Sequence, residues 1–194
     1  RADPETPLEE TVRAYEDLIR QGKVLYWGVS EWSEDQVARA CRIADATGGY
    51  RPISNQPQYS LLHRGIERDL LGAHSRLGLG QIVWSPLAQG VLTGKYAGGA
   101  RPEGSGITIA ARARFLEALL SEQNLARVDR MRPLASELGV TAAQLSLAWC
   151  LRRPEVASVI IGATRAEQLD ENALASGLVL PRATLRRLER FGVA

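Results

Sequence analysis

Apolar residues recur along this chain at two spacings, and the switches between them mark its elements. Leu8, Val12, Tyr15, Leu18 and Ile19 fall at helical intervals, predicting a helix over Thr6 to Gln21 that Gly22 stops. The run Val24-Leu25-Tyr26-Trp27-Gly28-Val29-Ser30 reads as a strand entering a loop. Ser33 opens a second helix through Thr47, with Val37, Ala40, Cys41 and Ala44 on one face and Gly48-Gly49 as its end. A short strand over Ile53 to Tyr59, a helix over Gly65 to Leu77 and a strand over Gln81 to Leu87 follow. Gln89 to about Thr108 is rich in Gly and longer than connections in compact domains usually are, so it is expected to be a functional excursion over a site. Helices are expected over Ala110 to Leu120, Glu122 to Leu138, Ala142 to Arg152 with Thr141 as cap, and Ala183 to Phe191 after Pro181.

Strand then helix, four times over, means parallel strands joined by helical crossovers. The predicted strands end in small or polar residues: Gly28-Val29-Ser30, Asn55-Gln56, Ser85-Pro86 and Gly162-Ala163-Thr164. In a β/α barrel such strand ends form the site, and phosphate tends to bind after the last two strands. A doubly wound open sheet is the rival architecture. It is disfavoured because the chain has no GxGxxG and no acidic residue placed for a ribose.

The last of these switches is the most informative. Val159-Ile160-Ile161 predicts a short buried strand, Gly162-Ala163 a tight turn, and Thr164 a helix N-cap completed by Glu167 in an S/T-x-x-E capping box. A helix N-terminus facing the end of a strand offers free N–H groups and the positive end of a dipole, which suits an anion. Thr164, Arg165 and Gln168 lie on its first turn. The same pattern also serves as an ordinary strand-to-helix turn.

Composition narrows the classes. The chain has 194 residues, 45% apolar and 24% charged, which is ordinary for one soluble globular domain or most of a larger one. No apolar run approaches the ~18 residues of a membrane span, and Arg1 to Glu10 has no signal-peptide core. Direct membrane insertion is therefore not expected. A net charge of +2 with scattered Arg gives no footprint for nucleic acid. Cys41 and Cys150 lie far apart in helical patterns, as reduced core thiols of a cytoplasmic protein would, and show no metal spacing. His63 and His74 lack triad or ligand spacing and are expected at the surface or on helix flanks. Lys23 and Lys95 are the only lysines, so their positions matter.

The segments GKVLYWGVSEWS, NQPQYSLL, WSPLAQGVLTGKY and VIIGATRAEQLDEN, in that order, resemble the aldo-keto reductases over nearly the whole chain. Within the family the likeness is greatest to the branch of voltage-gated potassium channel β-subunits and related bacterial aldehyde reductases. The resemblance implies a (β/α)8 (TIM) barrel, of which residues 1–194, as a single domain, would be the second half: strands five to eight, their helices and a C-terminal helix. It also implies NADP(H) as cofactor and no metal. Ser30 and Gln56 would hold the nicotinamide carboxamide, and Trp84 would stack on the ring; a tryptophan of the strand core is the alternative reading. The residue after Ser30 is Glu31, where Asn is common in the family. Ser85, Pro86, Leu87, Ala88 and Gly90 would follow the pyrophosphate, with Lys95 as a point charge and Arg112 or Arg114 as a closing arginine. Gly162, Thr164, Arg165, Gln168, Glu171 and Asn172 would clamp the 2′-phosphate and adenine.

The family's catalytic His, by the same resemblance, would precede Arg1, with its Asp, Tyr and Lys further upstream. The expected partners are thus a missing N-terminal half-barrel and, in the intact protein, a small aldehyde or ketone; a homo-oligomer is compatible with this. Three readings follow. The first is the NADP(H)-binding half of a carbonyl-reducing enzyme, inactive alone. The second is a nucleotide-binding regulatory subunit of a potassium channel, which co-purification with a membrane tetramer would mark. The third is a truncated or partial gene product without its own function, a question that a longer upstream reading frame with a His codon just before Arg1 would settle.

Overall fold

Four short strands lie parallel in the order in which they occur along the chain: β1 (Gly28–Ser30), β2 (Ser54–Gln56), β3 (Gly80–Trp84) and β4 (Val156–Ile160). The structure is a computed structural model and describes residues 1–103, 105 and 110–191, of which residues 110–112, 114 and 115 by backbone alone. Helices alternate with the strands, as the sequence pattern predicts. They are α1 (Leu8–Arg20), α2 (Glu34–Ala46), α3 (Leu70–Arg76), α4 (Ala110–Leu119), α5 (Glu122–Glu137), α6 (Ala142–Leu151), α7 (Ala166–Ala173) and α8 (Arg182–Glu189). Strand order equal to chain order, with a crossover at each step, is the arrangement of consecutive units in a β/α barrel.

The chain divides into two compact units. The first comprises residues 1–58, 65–84 and 155–158, and so contains β1, β2, β3 and the opening of β4. Register pairs Gly28 with Ser54 and Ser30 with Gln56. A Cβ at Gly28 would stand 2.9 Å from the Ser54 carbonyl oxygen, so the close approach of β1 to β2 requires glycine there. The core of this unit gathers Val12 of α1, Val37, Ala40 and Cys41 of α2, Val29 of β1, and Trp27. Tyr15 stacks on Trp27 with ring centres 4.6 Å apart. Helix α2 starts where the sequence says it should: the Ser33 hydroxyl accepts from the Gln36 N–H and the Gln36 side chain accepts from the Ser33 N–H.

The second unit comprises residues 59–64, 85–154 and 159–194. Thr141 and Gln144 form a second reciprocal capping box, starting α6, whose residues from Ala143 to Cys150 are all buried. Trp149, on this helix, packs against Tyr59 at 5.0 Å and lies under the Arg152 guanidinium at 3.8 Å. Glu189 of α8 accepts from Arg152 at 2.9 Å and also pairs with Arg64, which fastens the C-terminal helix. Cys41 and Cys150 are both buried free thiols, and burial raises the Cys41 pKa above the usual thiol range.

Several expectations need correction. The expected strand from Val24 begins only at Gly28, leaving Leu25 and Tyr26 exposed; the apolar run is not sheet throughout. The expected strand over Ile53 to Tyr59 shortens to β2. The helix from Gly65 is a 3-10 turn over Gly65–Glu67 followed by α3. The stretch from Gln89 is not structureless: 3-10 turns occupy Ala88–Thr93 and Ala97–Gly99. Strand β4 starts at Val156 rather than Val159, and it is not buried, with Ala157 and Ile160 exposed. It stands last in the strand order, so among the described residues nothing pairs its outer edge.

His74 is the clearest reversal. It is fully buried on α3, with Nδ1 3.4 Å from the Gln81 side-chain oxygen, because its ring faces the sheet from the helix's apolar side. Burial holds its pKa below the ordinary imidazole value of 6.5, against opposing pulls from Gln81 and Glu34. The unfolded chain therefore binds a proton more readily than the folded one, and stability present above pH 6.5 should be lost as pH falls towards the lower folded value. We expect the urea midpoint to drop between pH 7.5 and 5, and the drop to be shallower in His74→Asn. Equal slopes would remove His74 from that account.

Candidate functional site

Three of the expected site residues stand at the C-terminal ends of three successive strands in the first unit. Ser30 ends β1, Gln56 ends β2 and Trp84 ends β3. The Ser30 hydroxyl donates to the Gln56 carbonyl oxygen at 3.0 Å, and the Glu31 N–H donates to the same oxygen at 3.3 Å. Gln56 is exposed at its strand end. Alternation sends the preceding residue, Asn55, into the interior. Fully buried there, Asn55 accepts from the Trp32 N–H at 3.4 Å and donates to the Trp32 carbonyl at 3.3 Å, pinning the loop after β1.

On β3 the same alternation buries Val83 completely and leaves Trp84 half-buried. The indole is nevertheless fixed. Its Nε1–H donates to the Glu31 carboxylate at 2.7 Å, and the same oxygen accepts the Gln58 N–H at 2.7 Å. The Trp84 N–H donates to the Pro57 carbonyl at 3.1 Å, continuing the pairing of β2 with β3 past its regular end. A half-buried indole whose N–H is satisfied suits an apolar shelf.

The second unit carries the remaining expected residues. Ser85, Ala88 and Gln89 have positive φ (55°, 47° and 56°), an unusual cluster for non-glycine residues, and Gly90 continues it at 91°. Ser85 Oγ accepts from the Gln89 side-chain amide at 2.9 Å, and the Gly90 N–H donates to the Leu87 carbonyl at 2.9 Å. Pro86 and Ala88 are buried and Leu87 is half-buried, so these residues anchor the turn, while Gln89 is exposed. Successive residues switching into the left-handed region turn N–H groups to one side, the concavity in which backbone holds anions. The Lys95 amine lies over Gly90, where a Cβ would come within 2.8 Å of Nζ, and 5.2 Å from the Tyr96 ring centre.

At the other expected cluster the helix starts one residue later than the sequence suggested. Arg165, with extended φ and ψ, is the N-cap of α7 and makes no side-chain cap bond. The expected capping box between Thr164 and Glu167 does not form. Gln168 takes the capping role instead, its side-chain oxygen accepting the Thr164 N–H at 2.8 Å and lying 3.4 Å from the Thr164 hydroxyl. Thr164, Arg165 and Glu171 are exposed, Gln168 is half-buried and Asn172 is buried. The Glu171 carbonyl accepts from Gln144 at 2.9 Å, which ties α7 to α6. Among the described residues no carboxylate pairs with Arg165. Gly162 is exposed, and a Cβ there would meet no atom within 4 Å. The side chains of Arg112 and Arg114 lie outside the described residues.

Among the described residues, no group of three or more His, Cys, Asp or Glu side chains is placed to hold a metal ion. No single helix among them is long and apolar enough to cross a membrane, although α5 and α6 together, bent by 91°, pass that test by length and composition. Residues 1–192 match the model of the aldo/keto reductase family. The chain belongs to that family. Its fold class is therefore the (β/α)8 barrel, and its four parallel strands are part of one. It is 44% identical over 180 residues to a probable voltage-gated potassium channel subunit beta of Oryza sativa subsp. japonica, covering 92% of this chain and 55% of that protein. It is 43% identical over 180 residues to the probable counterpart in Arabidopsis thaliana, with the same coverage. A putative voltage-gated potassium channel subunit beta of Schizosaccharomyces pombe is 43% identical over 178 residues, 90% of this chain and 52% of that one. The chain thus spans about half the length of these relatives.

Glu31, which the sequence marked only as a departure from the family's common Asn, was given no role there. The available signal was physical: an indole near the surface at a strand end needs an acceptor, and Glu31 follows the end of β1, on the far side of β2 from β3.

Proposed function

We propose that residues 1–194 are the NADP(H)-binding half of an aldo-keto reductase, an oxidoreductase that reduces aldehydes or ketones to alcohols in the cytoplasm. The observation that carries this reading is the Trp84 shelf, held half-open at the end of β3 by a 2.7 Å bond to Glu31. Exposed Gln56 and the Ser30 hydroxyl, hydrogen-bonded to the backbone of Gln56, stand at the neighbouring strand ends. An aromatic face with amide and hydroxyl partners suits a flat ring bearing a carboxamide.

The residues of the second unit suit a phosphorylated nucleotide. Arg165 is exposed at a helix N-terminus, where guanidinium and free N–H groups favour a phosphate dianion. Gly162 has no steric reason of its own to be glycine, which is intelligible if a ligand approaches the backbone there. Lys95, beside the tight turn from Ser85 to Gly90, offers a point charge for pyrophosphate. When bound, the nicotinamide supplies a hydride. In the first unit residues 30, 56 and 84 are the ones suited to the nicotinamide; in the second, residues 162–172 are the ones suited to the 2′-phosphate.

The test is Trp emission during NADPH titration. Quenching is expected on binding, and Trp84→Ala should remove most of it. Quenching that persists through Trp27 or Trp32 would defeat the assignment of the strand ends.

A second reading is favoured by the names of the relatives, all three given as probable or putative channel β-subunits. On that reading the bound nucleotide is sensed by a channel partner. Retention of the protein by a tetrameric potassium channel during purification, without aldehyde turnover by the intact protein, would select it.

A further inference from the structure

We propose that Glu31 is a positioning residue that sets the Trp84 shelf and couples it to the strand end holding Ser30; this rests on the reading of Trp84 as the nicotinamide platform. A single carboxylate oxygen of Glu31 accepts both the Trp84 Nε1–H and the Gln58 N–H, each at 2.7 Å. The Glu31 N–H meanwhile donates to the Gln56 carbonyl that also takes the Ser30 hydroxyl bond. One residue thereby links the loop after β1, the chain just past β2 and the end of β3.

The backbone supports a reason beyond packing. Glu31 has φ 57°, in the left-handed region that non-glycine residues rarely adopt. Glycine would take this conformation without strain, so a glutamate there is retained against its own backbone preference. Such outliers persist where the surroundings over-determine them, often at sites that must be rigid before a ligand arrives. A half-buried indole otherwise has more than one rotamer open to it, and ordering it on binding would weaken the complex. Glu31 removes that freedom in advance. Bonds to a charged acceptor are shorter and stronger than neutral ones, which suits a side chain that has to hold its partner at the surface.

The test compares Glu31→Ala, Glu31→Gly and Glu31→Gln in the full chain. The Trp84 signal is isolated as the difference from Trp84→Phe in each background. Without cofactor, that signal should lose anisotropy and become more accessible to acrylamide in Ala and Gly. In Gln, whose side-chain carbonyl still accepts, it should stay close to the parent. NADPH affinity should fall about 2- to 12-fold in Ala and Gly, the factor for ordering one side chain on binding. Affinity for adenosine 2′,5′-bisphosphate, which has no nicotinamide, should be unchanged. Glu31→Gly relieves the backbone strain, so its melting temperature should stay near the parent's and separate positioning from folding.

Equal losses for NADPH and the bisphosphate would show a general structural effect and overturn the proposal. So would an unchanged Trp84 anisotropy in Ala and Gly. If Trp84→Ala weakens NADPH while Glu31→Ala does not, this inference alone falls. If Trp84→Ala leaves NADPH binding intact, the platform reading itself is wrong and the inference falls with it.

Discussion

Purified residues 1–194, given NADPH and 4-nitrobenzaldehyde, should turn over no detectable aldehyde. Hydride addition to a carbonyl builds negative charge on oxygen, and an acid of matched pKa has to deliver a proton there. By resemblance that acid is a Tyr supported by Lys and Asp, with a His at the oxyanion. The five tyrosines present are all otherwise placed. Tyr15 stacks on Trp27, and Tyr59 is fully buried with its hydroxyl accepting from Arg152 at 3.0 Å. Tyr96 is 1% exposed, while Tyr26 and Tyr50 precede β1 and β2, at the opposite strand ends from Ser30 and Gln56. Buried His74 and exposed His63 offer no substitute. Losing the general acid costs roughly 10²–10⁴-fold, and losing an oxyanion donor a further ~10²–10³-fold. The decisive comparison adds the preceding half of a family barrel, co-expressed with this chain. Turnover by the chain alone would refute the assignment, and turnover only on complementation would locate the proton donor in the other half.

Helix starts were legible where a side chain three residues on could answer the cap. Ser33 with Gln36 and Thr141 with Gln144 could be placed from spacing alone because both halves of the bond are local. Thr164 misled for an instructive reason. The string T-x-x-E is compatible with a helix starting at either of two residues, and what decides is Gln168 reaching back to Thr164. Strand ends were harder. Leu25 and Tyr26 continue an apolar run, yet they are 78% and 70% exposed, so hydrophobicity overstates the strand. His74 looked like a flank residue because its side-chain partner Gln81 lies on the next strand.

The candidate site was readable as a set of strand ends and a helix start, but its internal mechanics were not. Glu31 meets Gln58 and Trp84 across separations of 27 and 53 residues. No local spacing encodes such a meeting. It exists because parallel pairing brings the C-terminal ends of β1, β2 and β3 level with one another. The left-handed run at Ala88 and Gln89 was likewise silent, since neither residue type advertises a positive φ.

Arg165→Ala should weaken NADPH by roughly 5- to 150-fold, the factor for a charge-assisted hydrogen bond of about 1–3 kcal/mol, and leave NADH almost unchanged. Arg165 is exposed and caps α7 through backbone geometry alone, without a side-chain bond, so the substitution removes little from the fold. What it removes is the guanidinium at a helix N-terminus, where a phosphate dianion gains from both the fork of donors and the dipole. NADH lacks the 2′-phosphate and meets Arg165 only at long range. Because the contact is at the surface, the lower part of the range is expected at physiological salt, and the loss should shrink further as ionic strength rises. Fluorescence titrations with both cofactors at two salt concentrations give the answer. Matched losses for NADPH and NADH would mean that Arg165 shapes α7 itself and that selection of the 2′-phosphate lies elsewhere.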